Sequence, residues 1–70
     1  MKYGIYREGG FVTVLHSTTV DEAKAKRMAK ELAFDDRATY IVAVLGPNTP
    51  GEFNPFDPFR PRVIFRSKGL

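Results

Sequence analysis

Residues 39–46 read TYIVAVLG, and every side chain from Tyr40 to Leu45 is apolar. A strand points successive side chains to opposite faces. Tyr40, Val42 and Val44 therefore face one way, and Ile41, Ala43 and Leu45 face the other. Strands that are apolar on both faces are buried on both faces. FVTVLHS at 11–17 repeats the theme, with Val12 and Val14 on one side and Phe11 and Leu15 on the other. A sheet built from these strands has two faces to cover, and the chain carries one helical pattern with which to cover them.

That pattern is STTVDEAKAKRMAKELAF, residues 17–34. Ala25, Met28, Ala29, Leu32 and Ala33 recur at helical spacing and form one narrow apolar stripe. Thr19 followed by Glu22 has the spacing of a capping box. Asp21 and Glu22 fall in the first turn, where the helix dipole favours acids. These signals predict a helix from about Val20 to Phe34. Its alanines let it lie close to a sheet but bury little area.

KYGIYR (2–7) and the stretch from Phe11 are rich in β-branched and aromatic residues and flank Glu8-Gly9-Gly10, which predicts a hairpin with positive φ at the glycines. RVIFRS (62–67) alternates, with Val63 and Phe65 on one side and Arg62, Ile64 and Arg66 on the other. The reading is an α+β domain spanning 1–70. Its four-stranded, mainly antiparallel sheet runs β-β-α-β-loop-β in sequence, with one helix on one face. A Pro-, Gly- and Phe-rich connection, 46–61, separates the last two strands.

That connection is the candidate cover for the second face. FNPFDPFRP (53–61) repeats one triplet three times and holds half of the six phenylalanines. Residues before proline favour extended backbone, and proline fixes its own φ. As polyproline II the segment would align Phe53, Phe56 and Phe59 on one edge, about 9 Å apart. Burying each ring would contribute about 1.5–3 kcal/mol. In a chain of 70 residues with no cysteine to form a disulfide, that amount decides whether the domain folds alone. The expectation is that at least two of the rings pack on the sheet. The competing uses are an exposed arm, or a face completed by a partner or a second copy of the chain.

Little in the sequence points to catalysis. The single histidine, His16, and the absence of cysteine leave no zinc ligand set. Asp35-Asp36 reads as a solvated turn after the helix, and Gly9-Gly10 lacks the helix and lysine of a phosphate loop. No catalytic residue, metal or cofactor is expected. No apolar run approaches the roughly 18 residues of a membrane span, and MKYGIYREGG lacks a signal-peptide core. The expected location is the cytoplasm.

Binding is better supported. Eleven Lys and Arg against eight Asp and Glu give a formal net charge of +3, a mild bias toward acidic partners. Two basic sets stand out. Lys24, Lys26, Arg27 and Lys30 project from the helix, where Arg27–Glu31 has ion-pair spacing. Arg60, Arg62, Arg66 and Lys68 follow the last acid, Asp57, with Arg62 and Arg66 sharing a strand face. Arginines interleaved with Phe59 and Phe65 suit an acidic protein surface, or phosphate contact with ring stacking. Charged residues on an edge strand also serve simply to block aggregation.

Asn54-Pro55-Phe56 and Asp57-Pro58-Phe59 resemble the short endocytic motifs that bind EH domains and clathrin-adaptor appendages. Those motifs sit in long disordered tails, whereas these lie between two predicted strands. The aromatic signature of RRM domains and the helix order of double-stranded RNA-binding domains are absent. The layout of a hairpin, then STTVDEAKAKRMAKELA, then an apolar strand resembles that of small phage-encoded proteins, including anti-CRISPR inhibitors, over about the first 45 residues. The resemblance implies a non-enzymatic blocker that occupies a surface of a host complex. The expected function is a small protein-binding module, with nucleic-acid binding through the two basic sets as the alternative. A homodimer that closes the second face is compatible with either.

Overall fold

The computed structural model describes residues 1–69. The elements are β1 (Lys2–Glu8), β2 (Thr13–Thr19), α1 (Glu22–Asp36), β3 (Thr39–Leu45), β4 (Glu52–Phe53) and β5 (Arg62–Lys68). They form one antiparallel sheet in the order β4-β2-β1-β3-β5. The α+β class, with one helix against an antiparallel sheet, is as expected. The sheet has five strands instead of four, because β4 comes from the connection. Two residues, Glu52 and Phe53, pair with Val14 and Thr13, which is too short a strand to show any periodicity.

The apolar alternation of β3 is used on both sides. On the helix face, Tyr3, Ile5, Tyr40 and Val42 pack with Ala25, Ala29 and Ala33 of α1. On the opposite face, Tyr6, Ile41, Ala43 and Phe53 form a second cluster with Leu15 and Leu45 against it. Gly4 lies beneath this cluster. A Cβ there would approach the Tyr6, Leu45 and Leu15 side chains to 2.8, 2.9 and 3.0 Å, so only glycine lets them close over β1.

α1 starts two residues later than its pattern suggests. The N-cap is Asp21, whose Oδ1 accepts from the Lys24 N–H at 3.2 Å. Thr19 instead accepts from the Asp21 N–H at 3.3 Å, one step outside the helix. At the far end, Arg37 adopts a left-handed conformation (φ 51°) and its N–H bonds the Ala33 carbonyl, as does that of Ala38 at 3.2 Å. Asp35 and Asp36 therefore belong to the last helical turn and not to a loop.

The hairpin also differs. β2 begins at Thr13, so residues 9–12 form a four-residue loop closed by Gly9 N–H donating to the Val12 carbonyl at 3.0 Å. No described glycine has positive φ, so the loop is not a primed turn. Phe11 and Val12 lie in the loop and are exposed, not placed on strand faces.

Two bulges re-aim side chains. One skips His16 between the Ile5–Ser17 and Tyr6–Leu15 pairs, and the His16 ring meets Tyr40 edge-on at 5.8 Å on the helix face. The other skips Ile64 between the Val42–Phe65 and Ala43–Val63 pairs of β3 and β5. It breaks the expected alternation of β5: Phe65 turns to the helix and Val63 to the opposite face. Arg62 pairs with Val44 and Arg66 with Ile41, so the two arginines do not share a face.

Candidate functional site

The principal extents are 30 × 27 × 15 Å. A sheet with one layer of helix, stacked at about 10 Å, accounts for the short axis. The face away from α1 therefore has no second layer, only what the 46–61 connection supplies.

The start of the connection is held firmly. Tyr6 donates its hydroxyl to the Pro50 carbonyl at 2.8 Å, and the Leu15 N–H donates to the Gly51 carbonyl at 2.7 Å. Phe53 is buried, edge-on to the Tyr6 ring at 5.2 Å. Beyond Phe53 the expected polyproline II packing fails. The chain makes two consecutive turns, closed by Asp57 N–H to the Asn54 carbonyl at 3.1 Å and by Arg60 N–H to the Asp57 carbonyl at 3.2 Å. In each turn the first side chain accepts from the N–H two residues on: Asn54 from Phe56 and Asp57 from Phe59, both at 2.9 Å. The triplet is thus Asx-Pro-Phe turn chemistry repeated, with proline in the position it favours. Arg60 donates to the Pro55 carbonyl at 3.0 Å and ties the second turn to the first.

At least two of the three rings are expected on the sheet, and one is there. Phe56 is 90% exposed and Phe59 is 71% exposed. Phe11, at the hairpin tip, is 87% exposed, and no pattern in the sequence groups it with them. Phe11 and Phe56 line one apolar hollow with Val12 and Pro55. Phe59 lines a second, with Leu45, Pro47 and Arg62. Between them a groove crosses the open face, with Phe53, Ile41 and Val63 in its lining and Arg60 and Arg66 beside them. Arg60 borders both the groove and the second hollow.

The basic residues are redistributed. Arg66 pairs with Glu8 at 2.8 Å across the open face. On the helix, the ion pair is Lys26–Glu22 at 3.1 Å, not Arg27–Glu31. The Lys26 ammonium holds the Glu22 carboxyl below the usual carboxylate range. The Lys26 and Lys30 ammonium groups lie 5.9 and 5.8 Å from the centre of the Phe65 ring, so both reach over β5. Lys30 shares a hollow with Lys68, Ser67 and the exposed Phe34. The fold thus joins half of the helix set to the C-terminal set, around one edge of the sheet. Lys24 and Arg27 are exposed elsewhere on α1.

Tyr40 donates to Asp36 at 2.5 Å, and Arg7 lies 4.0 Å from the same carboxylate oxygen. This group ties β1 and β3 to the end of α1. Among the described residues, no three His, Cys, Asp or Glu side chains gather as a metal site, and no helix is long and apolar enough to cross a membrane. No protein-family model, curated protein or solved structure matches the chain.

Proposed function

We propose that the chain is a small non-enzymatic protein-binding module whose contact surface is the aromatic rim of the open face. One observation carries the reading: Phe11, Phe56 and Phe59 are held out in solvent by turns that are themselves well bonded. Leaving each ring in water forgoes about 1.5–3 kcal/mol in a domain with little to spare. Aromatic and arginine side chains flanking a shallow groove are the composition of interface hot spots. Arg60 and Arg66 suit an acidic surface on the partner. The likeness of the hairpin–helix–strand layout to small phage-encoded inhibitors supports a mode of action in which the protein occupies a surface of a host protein or nucleoprotein complex.

The nucleic-acid reading has its own observation, the exposed Phe34 beside Lys30 and Lys68, a stacking ring with two cations. One experiment separates the two. Wild type and the variant carrying F11S, F56S and F59S are immobilised and exposed to extract of the source cell, and both are titrated with short oligonucleotides over a range of salt. The expected result is one protein retained in near-equal amount by wild type and lost by the variant, with the variant folded. Equal retention by both, with oligonucleotide affinity falling steeply with salt, would overturn the aromatic reading in favour of the second.

A further inference from the structure

The outer edge of β5 is the longest unpaired backbone in the sheet. β5 ends the strand order, and only β3 pairs with it, along Arg62–Lys68. At the other end of the sheet, β4 covers part of β2. An exposed edge offers N–H and C=O groups to another strand. Here the edge is also set in positive charge. Arg62, Arg66 and Lys68 lie along it, with no acid in the strand. Lys26 and Lys30 reach over it from α1 on one face, and Val63 lies on the other, 42% exposed. The nearby acids, Glu8 and Glu22, are spent on Arg66 and Lys26 in half-exposed pairs. Arg62, Lys68 and Lys30 have no ion-pair partner among the described residues.

We propose that this edge docks an extended acidic segment of a partner protein by strand addition. The charges select the occupant. A second copy pairing edge to edge would bring together two strands that each carry Arg62, Arg66 and Lys68 and no acid, and like charges on neighbouring strands destabilise the pair. The same side chains attract a strand rich in Glu or Asp. Its residues on the helix side would meet Arg62 and the two lysines over Phe65, and those on the open side would meet Val63, Arg66 and Lys68. A polynucleotide could answer the charge and accept from some N–H groups, but only a polypeptide strand offers alternating donors and acceptors at the spacing of the edge. The edge shares Val63 and Arg66 with the groove and Arg62 with the Phe59 hollow, but strand addition rests on the β5 backbone and not on the three exposed rings.

The test uses a capped synthetic peptide that alternates glutamate with valine, titrated into the isotope-labelled full chain and followed by NMR. Saturable movement of backbone amide signals along residues 62–68 is expected, with binding weakened at least tenfold by R62E together with K68E. Both side chains are solvent-exposed, so that variant keeps its fold, and K30E, placed on another element, is expected to weaken binding severalfold. A peptide of the same composition interrupted by prolines should bind at least tenfold more weakly, because it cannot form a strand. Equal binding of the proline-interrupted peptide would overturn strand addition, leaving charge alone. Absence of amide movement in β5, or a short oligothymidylate binding more tightly at the same residues, would also overturn the proposal.

Discussion

Phe53, Phe56 and Phe59 occupy equivalent places in a repeat and have unrelated roles. Phe53 is buried against Tyr6, while its two counterparts face water. The difference is decided by neighbours: Phe53 follows a residue bonded into β4, and the others sit third in Asx-Pro turns. Phe53→Ala should therefore cost about 3–4 kcal/mol, most of the stability expected of so small a domain. Phe56→Ser or Phe59→Ser should change it by less than about 0.5 kcal/mol. Urea denaturation of the three variants checks this, and similar losses in all three would mean that the outer rings pack as well. The sequence showed that these rings mattered, but not which of them the sheet would take. Whether an aromatic three residues further on is buried depends on how far the sheet extends, and no local pattern encodes that distance. Arg66 is similar: its type was legible as basic, but its use against Glu8 depends on pairing across three strands.

Elements with a strong period were legible, and their ends were not. The alanine stripe of α1 and the two-sided β3 are placed as the spacing implies, because each repeats a physical requirement many times over. Termini rest on single residues. Thr19 and Asp21 are both good caps, and Asp21 takes the role with its bond to the Lys24 N–H. Asp21→Ala should cost about 1 kcal/mol, and Thr19→Ala distinctly less, in the midpoint of chemical denaturation. An equal or larger loss at Thr19 would restore the capping-box reading. Extra residues were equally invisible. The bulges at His16 and Ile64 each shift the alternation of a strand by one, and that alone separates Arg62 from Arg66. The Phe-x-Pro triplet misled for a different reason. A period of three fits polyproline II, but Asn and Asp before proline fit turns with side-chain bonds, and the bonds win.

At the scale of the whole molecule, the two clusters are welded through β1 and β3, which supply residues to both. All three tyrosines of the chain are in them: Tyr3 and Tyr40 on the helix side, Tyr6 on the other. Burial pushes each phenol above its ordinary value, with Glu22 adding to the rise at Tyr3 and Asp36 at Tyr40. Folding thus favours the neutral phenol, so its contribution is complete below the unfolded value near pH 10 and is lost as pH rises through the folded ones. Tyrosinate absorbance should stay low past pH 10 and then rise in a single step together with loss of the far-ultraviolet circular dichroism. A tyrosine that ionises near pH 10 with the fold intact would contradict that burial. That the second face would need covering was legible from β3. What covers it was only half legible, since the connection closes over Tyr6 and then turns away. The strand order carries a final consequence. β1, central and bonded on both sides, should exchange its amide hydrogens most slowly, and β4 and β5 fastest. The aromatic turns hang from β4, and the basic edge is β5 itself. Both surfaces can then loosen, adjust and close again on a partner while the tyrosine-lined centre stays shut.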